Sequence, residues 1–220
     1  MIKGLNHTIK AVIFDMDGTM LDTEKLYQIF WEKALQFYGY QPSTQLLLDL
    51  RSLSRNLAAK LFKENFGDEI DYTLIREKRM ELMNEYIDCY GVEKKPGLDE
   101  LLAYLSSQKI KLAVATATDE VRTKAYLSQA GVLSYFDVIA CATMVAHGKP
   151  APDIYQLAAS KLNVPTTDCL AIEDSPNGVI SAYSAGCQVI MVPENIKEEF
   201  EFPFSVIKEK NLYEVASYLK

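Results

Sequence analysis

Residues 11–19 have the sequence AVIFDMDGT, which joins a short apolar block to two carboxylates. The block, Ala11 to Phe14, contains the β-branched and aromatic residues that buried strands favour. Asp15 and Asp17 follow where this strand ends, and in an open parallel sheet ligands bind in the crevice at that edge. If the chain stays extended here, side chains two residues apart point to one face. A nucleophile beside an acid/base is the simplest chemical interpretation, and a polar Asp-Gly turn is the structural alternative.

The composition is that of an ordinary globular protein. Its 220 residues, 49% hydrophobic and 24% charged, suffice for one large domain or a domain with an insert. The net charge is −7 and Lys and Arg form no block, so we expect no nucleic-acid and no membrane partner. Residues 1–10 lack the apolar core of a secretory signal, and no run approaches the roughly 20 apolar residues that span a bilayer. We therefore expect a cytoplasmic protein, with a monomer as the default state.

Two patterns of predicted elements divide the chain. Residues from about 22 to 92 show only helical segments, at 22–38, 46–50, 53–66 and 72–90. From Pro96 onward, apolar strands at 110–115, 138–141, 169–172 and 189–192 alternate with helices, which is the signature of a parallel, doubly wound sheet. We therefore predict an α/β fold: a doubly wound Rossmann-like parallel sheet core, residues 1–21 and 93–220, with an inserted α-helical cap domain at 22–92.

Polar residues follow the later strands of this predicted sheet. Thr116 and Thr118 come after the strand at 110–115, and Lys149 lies in a Gly/Pro loop, residues 147–153, before a helix. Hydroxyls at a helix start are commonly caps, and a loop lysine is commonly solvated. Prolines on either side of Ala151 nonetheless restrain the approach of Lys149, which a solvated lysine would not need.

A second pair of acids, Glu173 and Asp174, follows the predicted strand at 169–172. Helix capping and the helix dipole offer a structural explanation for acids at that position. Because the loops of a parallel sheet share one edge, we expect these acids to gather near Asp15 and Asp17. Unpaired, the four carboxylates would repel one another and their pKa values would rise. A divalent cation relieves this repulsion, and oxygen-only ligands suit Mg²⁺.

Four motifs occur in a fixed order along the chain: DMDGT at 15–19, Thr116, Lys149 within KPAPD, and EDSPNG at 173–178. Together they resemble the signatures of the haloacid dehalogenase superfamily of phosphotransferases. The position of the cap resembles the β-phosphoglucomutase-like branch of that superfamily. Each motif alone is weakly specific, whereas their joint order is highly specific.

The resemblance implies catalytic roles for four positions. Asp15 would attack phosphorus and become an aspartyl phosphate, and Asp17 would protonate the leaving oxygen and later deprotonate the incoming nucleophile. Thr116 and Lys149 would hold the transferring phosphoryl oxygens, and Ala117 is included among the predicted substrate-binding residues. An acid at Asp17 argues against the dehalogenase and phosphonatase branches.

The resemblance also implies one Mg²⁺ ion as cofactor. Its predicted ligands are the Asp15 carboxylate, the Asp17 carbonyl, Asp174 and Glu173. A small-molecule phosphomonoester would be the substrate.

Residues in the predicted cap bear on the choice between phosphatase and mutase. Arg51 and Arg55 fall where sugar phosphomutases of this branch have basic cap residues, so we predict that they bind substrate, with a solvated helix face as the alternative. Tyr27 stands where true β-phosphoglucomutases have a hinge histidine, and Ser52 where a glycine is usual. We therefore predict a Mg²⁺-dependent phosphatase of small phosphomonoesters such as sugar phosphates. A sugar phosphomutase is the alternative, followed by a catalytically silent binding protein.

Overall fold

The computed structural model describes residues 9–50, 55–194, 196 and 199–219. Within these residues six strands form one sheet: β1 (Ala11–Phe14), β2 (Lys111–Thr116), β3 (Val138–Cys141), β4 (Cys169–Glu173), β5 (Gln188–Met191) and β6 (Ile207–Lys208). Every neighbouring pair is parallel, and the strand order is β3-β2-β1-β4-β5-β6. The predicted α/β Rossmann-like architecture is confirmed.

α-Helices connect the strands of the sheet and also form the segment between β1 and β2. They are α1 (Thr23–Phe37), α2 (Thr44–Asp49), α3 (Arg55–Phe66), α4 (Tyr72–Tyr90), α5 (Leu98–Ser107), α6 (Glu120–Gln129), α7 (Asp153–Leu162), α8 (Pro176–Ser184) and α9 (Leu212–Val215). In the parts of the chain that the structure describes, no helix is both long enough and apolar enough to cross a membrane.

Strand β1 lies at the centre of the sheet because its side chains tolerate complete burial. All four of its residues are fully buried, between β2 on one side and β4 on the other. Phe14 pairs with Ile172, and the amide of Asp15 donates to the Ile172 carbonyl over 3.0 Å. The hydrogen-bond ladder between β1 and β4 thus extends one residue beyond β1. It fixes the backbone of Asp15 beside the end of β4.

Helix α7 packs closely on the middle of the sheet because both surfaces carry small residues. Ala113, Ala115 and Ala171 on the strands share a buried cluster with Ala158 and Ala159 of the helix. A surface of methyl groups allows a helix to approach a sheet closely and to bury a continuous apolar face. This packing brings the first turn of α7 beneath the carboxyl ends of the strands.

The contacts divide the chain into two compact units. One unit ends at Asp22 and resumes at Val92, and it contains the sheet; the other, Thr23–Gly91, contains helices α1 to α4. The core of the helical unit is rich in aromatic rings, with Trp31 5.2 Å from Phe62 and 5.8 Å from Tyr72 between ring centroids. Buried Arg79 of α4 lies over the rings of Tyr27 and Trp31 in the same unit.

The short strand β6 was not predicted from the sequence. It has two residues, Ile207 and Lys208, and both are only half-buried. Alternation of apolar and polar residues becomes a signal only over about four to eight residues, so a two-residue strand gives none. Its pairing with β5 is set by tertiary packing at the edge of the sheet.

Candidate active site

Lys149 forms the centre of a buried cluster at the carboxyl ends of β1 and β4. Its Nζ atom lies 2.5 Å from Asp15 Oδ1 and 2.5 Å from Glu173 Oε1. The side chains of Lys149 and Asp15 are each only 9% exposed, and that of Glu173 is fully buried. An ammonium between two carboxylates makes charge-assisted hydrogen bonds, the strong kind in a site that excludes water.

The loop that carries Lys149 is held by a turn of its own and by a hydrogen bond from α8. The amide of Ala151 donates to the Gly148 carbonyl over 3.0 Å, which closes a turn around Lys149. Buried Ser181 of α8 donates its hydroxyl to the Ala151 carbonyl over 2.6 Å. These contacts hold the loop against α8, so that the lysine points inward rather than into solvent.

Each carboxylate oxygen of Glu173 accepts hydrogen bonds. Besides Lys149, Oε1 accepts from the Tyr155 hydroxyl over 2.7 Å. Oε2 accepts from the amides of Asp174 and Ser175 and from the Ser175 hydroxyl over 3.1–3.3 Å. A buried charge is tolerated only with such compensation. The Glu173 carboxylate is therefore held in a fixed position beside Lys149.

Gly178 is required in the first turn of α8 because the Glu173 carboxylate lies against it. A Cβ at this position would overlap the carboxylate carbon and both of its oxygens. We expect Gly178→Ala to lower the free energy of unfolding by about 1–3 kcal/mol, the usual cost of overpacking. Urea unfolding measures this loss. Gly148→Ala is the matched control, since a Cβ there meets nothing within 4 Å. Equal stabilities of the two variants would contradict the prediction.

The charges of the cluster shift the pKa values of its members. Burial raises the pKa of Asp15 well above its usual value, Lys149 opposes this rise, and the carboxylates of Glu173 and Asp17 add to it. Burial favours a lower pKa for Lys149, yet the carboxylates of Asp15 and Glu173 raise that pKa above its usual value. The lysine therefore stays charged, and the site still favours a further positive charge beside Asp15.

Asp17 approaches the loop that follows β2. Its Oδ2 atom accepts a hydrogen bond from the Thr118 hydroxyl over 2.8 Å and lies 3.5 Å from the Thr116 hydroxyl. The Thr116 hydroxyl in turn accepts from the amide of Thr118 over 3.0 Å. Both threonines are buried, whereas Asp17 is half-buried. The second acid of the DMDGT motif is therefore held by the threonines of the loop after β2.

Three carboxylates at this edge have the chemistry of a metal site. One oxygen from each of Asp15, Glu173 and Asp174 lies within 4.8 Å of the other two. Asp174 Oδ1 also accepts from the Thr19 hydroxyl over 3.2 Å, which ties the loops after β4 and β1 together. A donor set made only of oxygens fits a hard cation such as Mg²⁺.

Most of the predicted site residues lie together in the sheet unit. This group contains Asp15, Asp17, Thr116, Lys149, Glu173 and Asp174. Ala117 lies exposed in the loop between β2 and α6. Arg51 lies outside the described residues, and Arg55 begins α3 with a side chain outside what the structure describes. The roles assigned to all of these residues remain predictions.

Sequence reasoning missed Tyr155 as a part of the site. Tyr155 lies on the buried stripe of α7 with Ile154, Ala158 and Leu162, and such a stripe predicts core packing. The signal that could have revealed it is the hydroxyl, because a buried tyrosine hydroxyl usually has a hydrogen-bond partner. On a helix that follows a site loop, the nearest partners are the acids at the strand ends.

The chain is similar to known proteins over most of its length. The family model of the haloacid dehalogenase-like hydrolases matches residues 12–192. A probable pseudouridine-5'-phosphatase of Drosophila melanogaster is 35% identical, with 83% of this chain and 80% of that protein covered. The fructose-1-phosphate phosphatase YqaB of Escherichia coli is 33% identical, covering 83% and 95%. A β-phosphoglucomutase of Bacillus subtilis is 30% identical, covering 81% and 80%.

Solved structures have the same fold. The crystal structure of CbbY from Rhodobacter sphaeroides in complex with phosphate superposes with a TM-score of 0.82 at 29% identity. The superposition covers 96% of this chain and 99% of that chain. The likeness therefore includes the region of the helical insert as well as the sheet.

Proposed function

Since the chain belongs to the haloacid dehalogenase-like hydrolases, we propose that it is a Mg²⁺-dependent phosphatase of small phosphomonoesters that works through an aspartyl phosphate on Asp15. The family that the four motifs predicted is confirmed. The observation that carries the proposal is the buried Asp15, paired with Lys149 at the end of the central strand and followed two residues later by a second acid.

In the first half of the reaction, an oxygen of Asp15 attacks phosphorus. The bond between phosphorus and the ester oxygen breaks, and its electron pair stays on the departing oxygen. The carboxylic acid of Asp17 gives its proton to that oxygen, so an alcohol leaves and Asp17 becomes a carboxylate. Lys149 neutralises charge on the phosphoryl oxygens and Thr116 donates to them, which is where phosphoryl transfer gains most of its catalysis.

In the second half, water attacks the phosphorus of the aspartyl phosphate. The Asp17 carboxylate takes a proton from this water, and the bond between phosphorus and the Asp15 oxygen breaks. Inorganic phosphate leaves, and both aspartates return to their starting protonation states. The net reaction is ester plus water to alcohol plus phosphate.

The acids at the strand ends would hold the cation. Asp15, Asp174 and the carbonyl of Asp17 are the proposed ligands, with Glu173 as a further predicted ligand. When bound, Mg²⁺ supplies positive charge that shields the phosphoryl group from these acids and lowers the pKa of Asp15. The raised pKa of Asp15 in the protein alone supports this assignment, because a protonated carboxyl is a poor nucleophile.

Sugar phosphates are the proposed substrate class. The relative from E. coli is named for fructose 1-phosphate, and that from D. melanogaster for pseudouridine 5'-phosphate, so both names describe a phosphate on a sugar. A phosphomutase is the second candidate, because the B. subtilis relative carries that name and would share the first half of the reaction. The presence of both acids, Asp15 and Asp17, argues against a silent binding protein.

The decisive test is a panel of phosphomonoesters with released phosphate as the readout. The panel contains fructose 1-phosphate, glucose 6-phosphate, pseudouridine 5'-phosphate and 4-nitrophenyl phosphate. Each compound is assayed with Mg²⁺ and again with excess EDTA. Phosphate release from at least one of them with Mg²⁺, lost with EDTA and restored by fresh Mg²⁺, supports the proposal. No release from any of them contradicts it.

A separate incubation distinguishes phosphatase from mutase. β-Glucose 1-phosphate is supplied with Mg²⁺ and a trace of the glucose 1,6-bisphosphate. We expect free phosphate, because Tyr27 and Ser52 depart from the residues usual in the mutases. Appearance of glucose 6-phosphate without phosphate would reverse the assignment in favour of the mutase.

A further inference from the structure

Thr118 lies outside the four family motifs, yet it makes a short side-chain contact with Asp17. Its hydroxyl donates to Asp17 Oδ2 over 2.8 Å, whereas the motif residue Thr116 is 3.5 Å from the same oxygen. Thr118 is 5% exposed, so this hydrogen bond is shielded from water on the threonine side. The stronger of the two contacts thus comes from the residue that the motifs do not include.

The backbone fixes the position of this donor from both sides. On one side, the amide of Thr118 donates to the Thr116 hydroxyl over 3.0 Å. On the other, Asp119 caps α6 by accepting from the amide of Arg122 over 3.1 Å. A threonine between a closed turn and a capped helix has little freedom to move, so its hydroxyl presents a fixed donor to Asp17.

We propose that Thr118 is a positioning residue for the acid/base, whose hydroxyl engages Oδ2 of Asp17 so that Oδ1 carries the transferred proton. The inference rests on the proposed function, in which Asp17 protonates the departing oxygen. A carboxylic acid delivers its proton well only when the oxygen that bears it faces the acceptor, within about 2.6–3.2 Å between heavy atoms. A fixed donor on the opposite oxygen selects that orientation.

This role predicts a dependence on the leaving group. When the ester bond breaks, an alkyl alcohol needs the Asp17 proton because the alkoxide is a strong base. The 4-nitrophenolate ion is a weak base and departs without that proton. Removing a residue that only supports the fold would slow the hydrolysis of both substrates alike. Removing a residue that orients the acid would selectively slow the hydrolysis of the alkyl ester.

The experiment compares kcat/KM for two substrates in Thr118→Val, which keeps the shape of the side chain and removes the hydroxyl. The substrates are 4-nitrophenyl phosphate and the alkyl phosphate of the panel that the wild type hydrolyses fastest. This parameter reports the steps up to formation of the aspartyl phosphate, so later hydrolysis does not obscure it. We expect a loss of about tenfold or more for the alkyl ester and less than about threefold for the aryl ester.

Two further variants complete the comparison. Thr118→Ser restores the hydroxyl and is expected to recover most of the activity on the alkyl ester. Thr123→Val is the matched control, because Thr123 of α6 is buried like Thr118 and its hydroxyl donates to the Asp119 carbonyl rather than to the site. We expect this control to keep the wild-type ratio between the two substrates.

The outcomes separate this inference from the proposed function. Equal losses of kcat/KM on both substrates in Thr118→Val, or no recovery in Thr118→Ser, would overturn the positioning role. Turnover by the wild type would still leave the phosphatase assignment intact. A wild type that releases phosphate from none of the panel compounds would contradict the phosphatase assignment itself. Turnover of the aryl ester by Thr118→Val also shows that the variant is folded.

Discussion

Asp15→Asn is expected to lower phosphate release by at least about 10³-fold, because an amide cannot serve as the nucleophile in phosphoryl transfer. The substitution keeps the shape of the side chain at the end of β1, where the backbone amide of Asp15 is held by Ile172. Glu173 remains as a partner for Lys149, so the buried ammonium is still compensated. The expected loss is therefore chemical rather than structural. Initial rates with 4-nitrophenyl phosphate and Mg²⁺ measure it.

Asp168→Asn is the control for this change. Asp168 lies at the other end of β4 from the site, and its carboxylate pairs with Lys10 over 2.8 Å near the surface. A pair of this kind contributes at most about 1 kcal/mol, so full activity is expected. In the wild type, acid quenching during turnover should leave a phosphoryl label on the peptide that contains Asp15. Turnover by Asp15→Asn above a tenth of the wild-type rate, or a label elsewhere, would contradict the mechanism.

The sheet could be predicted because its strands are short runs of apolar residues with abrupt polar ends. Two of these runs are Ala11 to Phe14 and Cys169 to Ile172. Because both of their faces are apolar, they cannot be amphipathic surface strands. Parallel strands must then share one edge, and this rule alone brought the polar clusters after β1, β2 and β4 together. The strand order, with β1 at the centre, could not be predicted from the sequence, because it follows from how the connecting helices pack.

Local patterns also cannot show which partner a buried charge will have. Glu173 and Asp174 are adjacent, yet one is fully buried beside Lys149 and Tyr155 and the other is half-buried beside Thr19. Their different partners depend on the direction of each side chain at the end of β4, which alternates from residue to residue. Sequence spacing predicts that both acids are metal ligands, which stays a prediction, and it does not distinguish their hydrogen-bond partners.

Specificity was the least accessible property. Two residues outside the sheet unit were predicted to bind substrate: Arg55 begins α3, and Arg51 lies outside the described residues. Helices such as α3 are common to many unrelated functions. A helical pattern predicts that α3 exists, but not what its polar face contacts. The residues of the proposed reaction lie at the strand ends, where few arrangements are physically possible. The choice of substrate would depend on side chains whose contacts a helical pattern does not restrict.

Lys149→Met is expected to lower the free energy of unfolding by about 3–5 kcal/mol in metal-free buffer, because it leaves buried carboxylates without their compensating charge. Methionine is only one atom shorter than lysine, so loss of packing contributes little. Mg²⁺ at saturating concentration should recover part of the stability, since a cation bound by these acids replaces some of the missing charge. Phosphate release should remain low in both buffers, because the cation does not replace the lysine contact to the transferring group. Urea unfolding with and without Mg²⁺ measures the effect.

A second substitution tests whether the repulsion between Asp15 and Glu173 causes that loss. Glu173→Gln alone removes a partner of Lys149, but added to Lys149→Met it removes one of the two uncompensated charges. We therefore expect the double variant to lose less unfolding free energy than the two single variants lose together, by about 1 kcal/mol or more. We also expect it to stay inactive. Lys124→Met is the control, since this exposed lysine pairs with Glu120 on α6 and its loss should change stability by less than about 0.5 kcal/mol. Additive losses in the double variant would mean that the three side chains do not act as one charged unit and that Glu173 does not hold Lys149 in place.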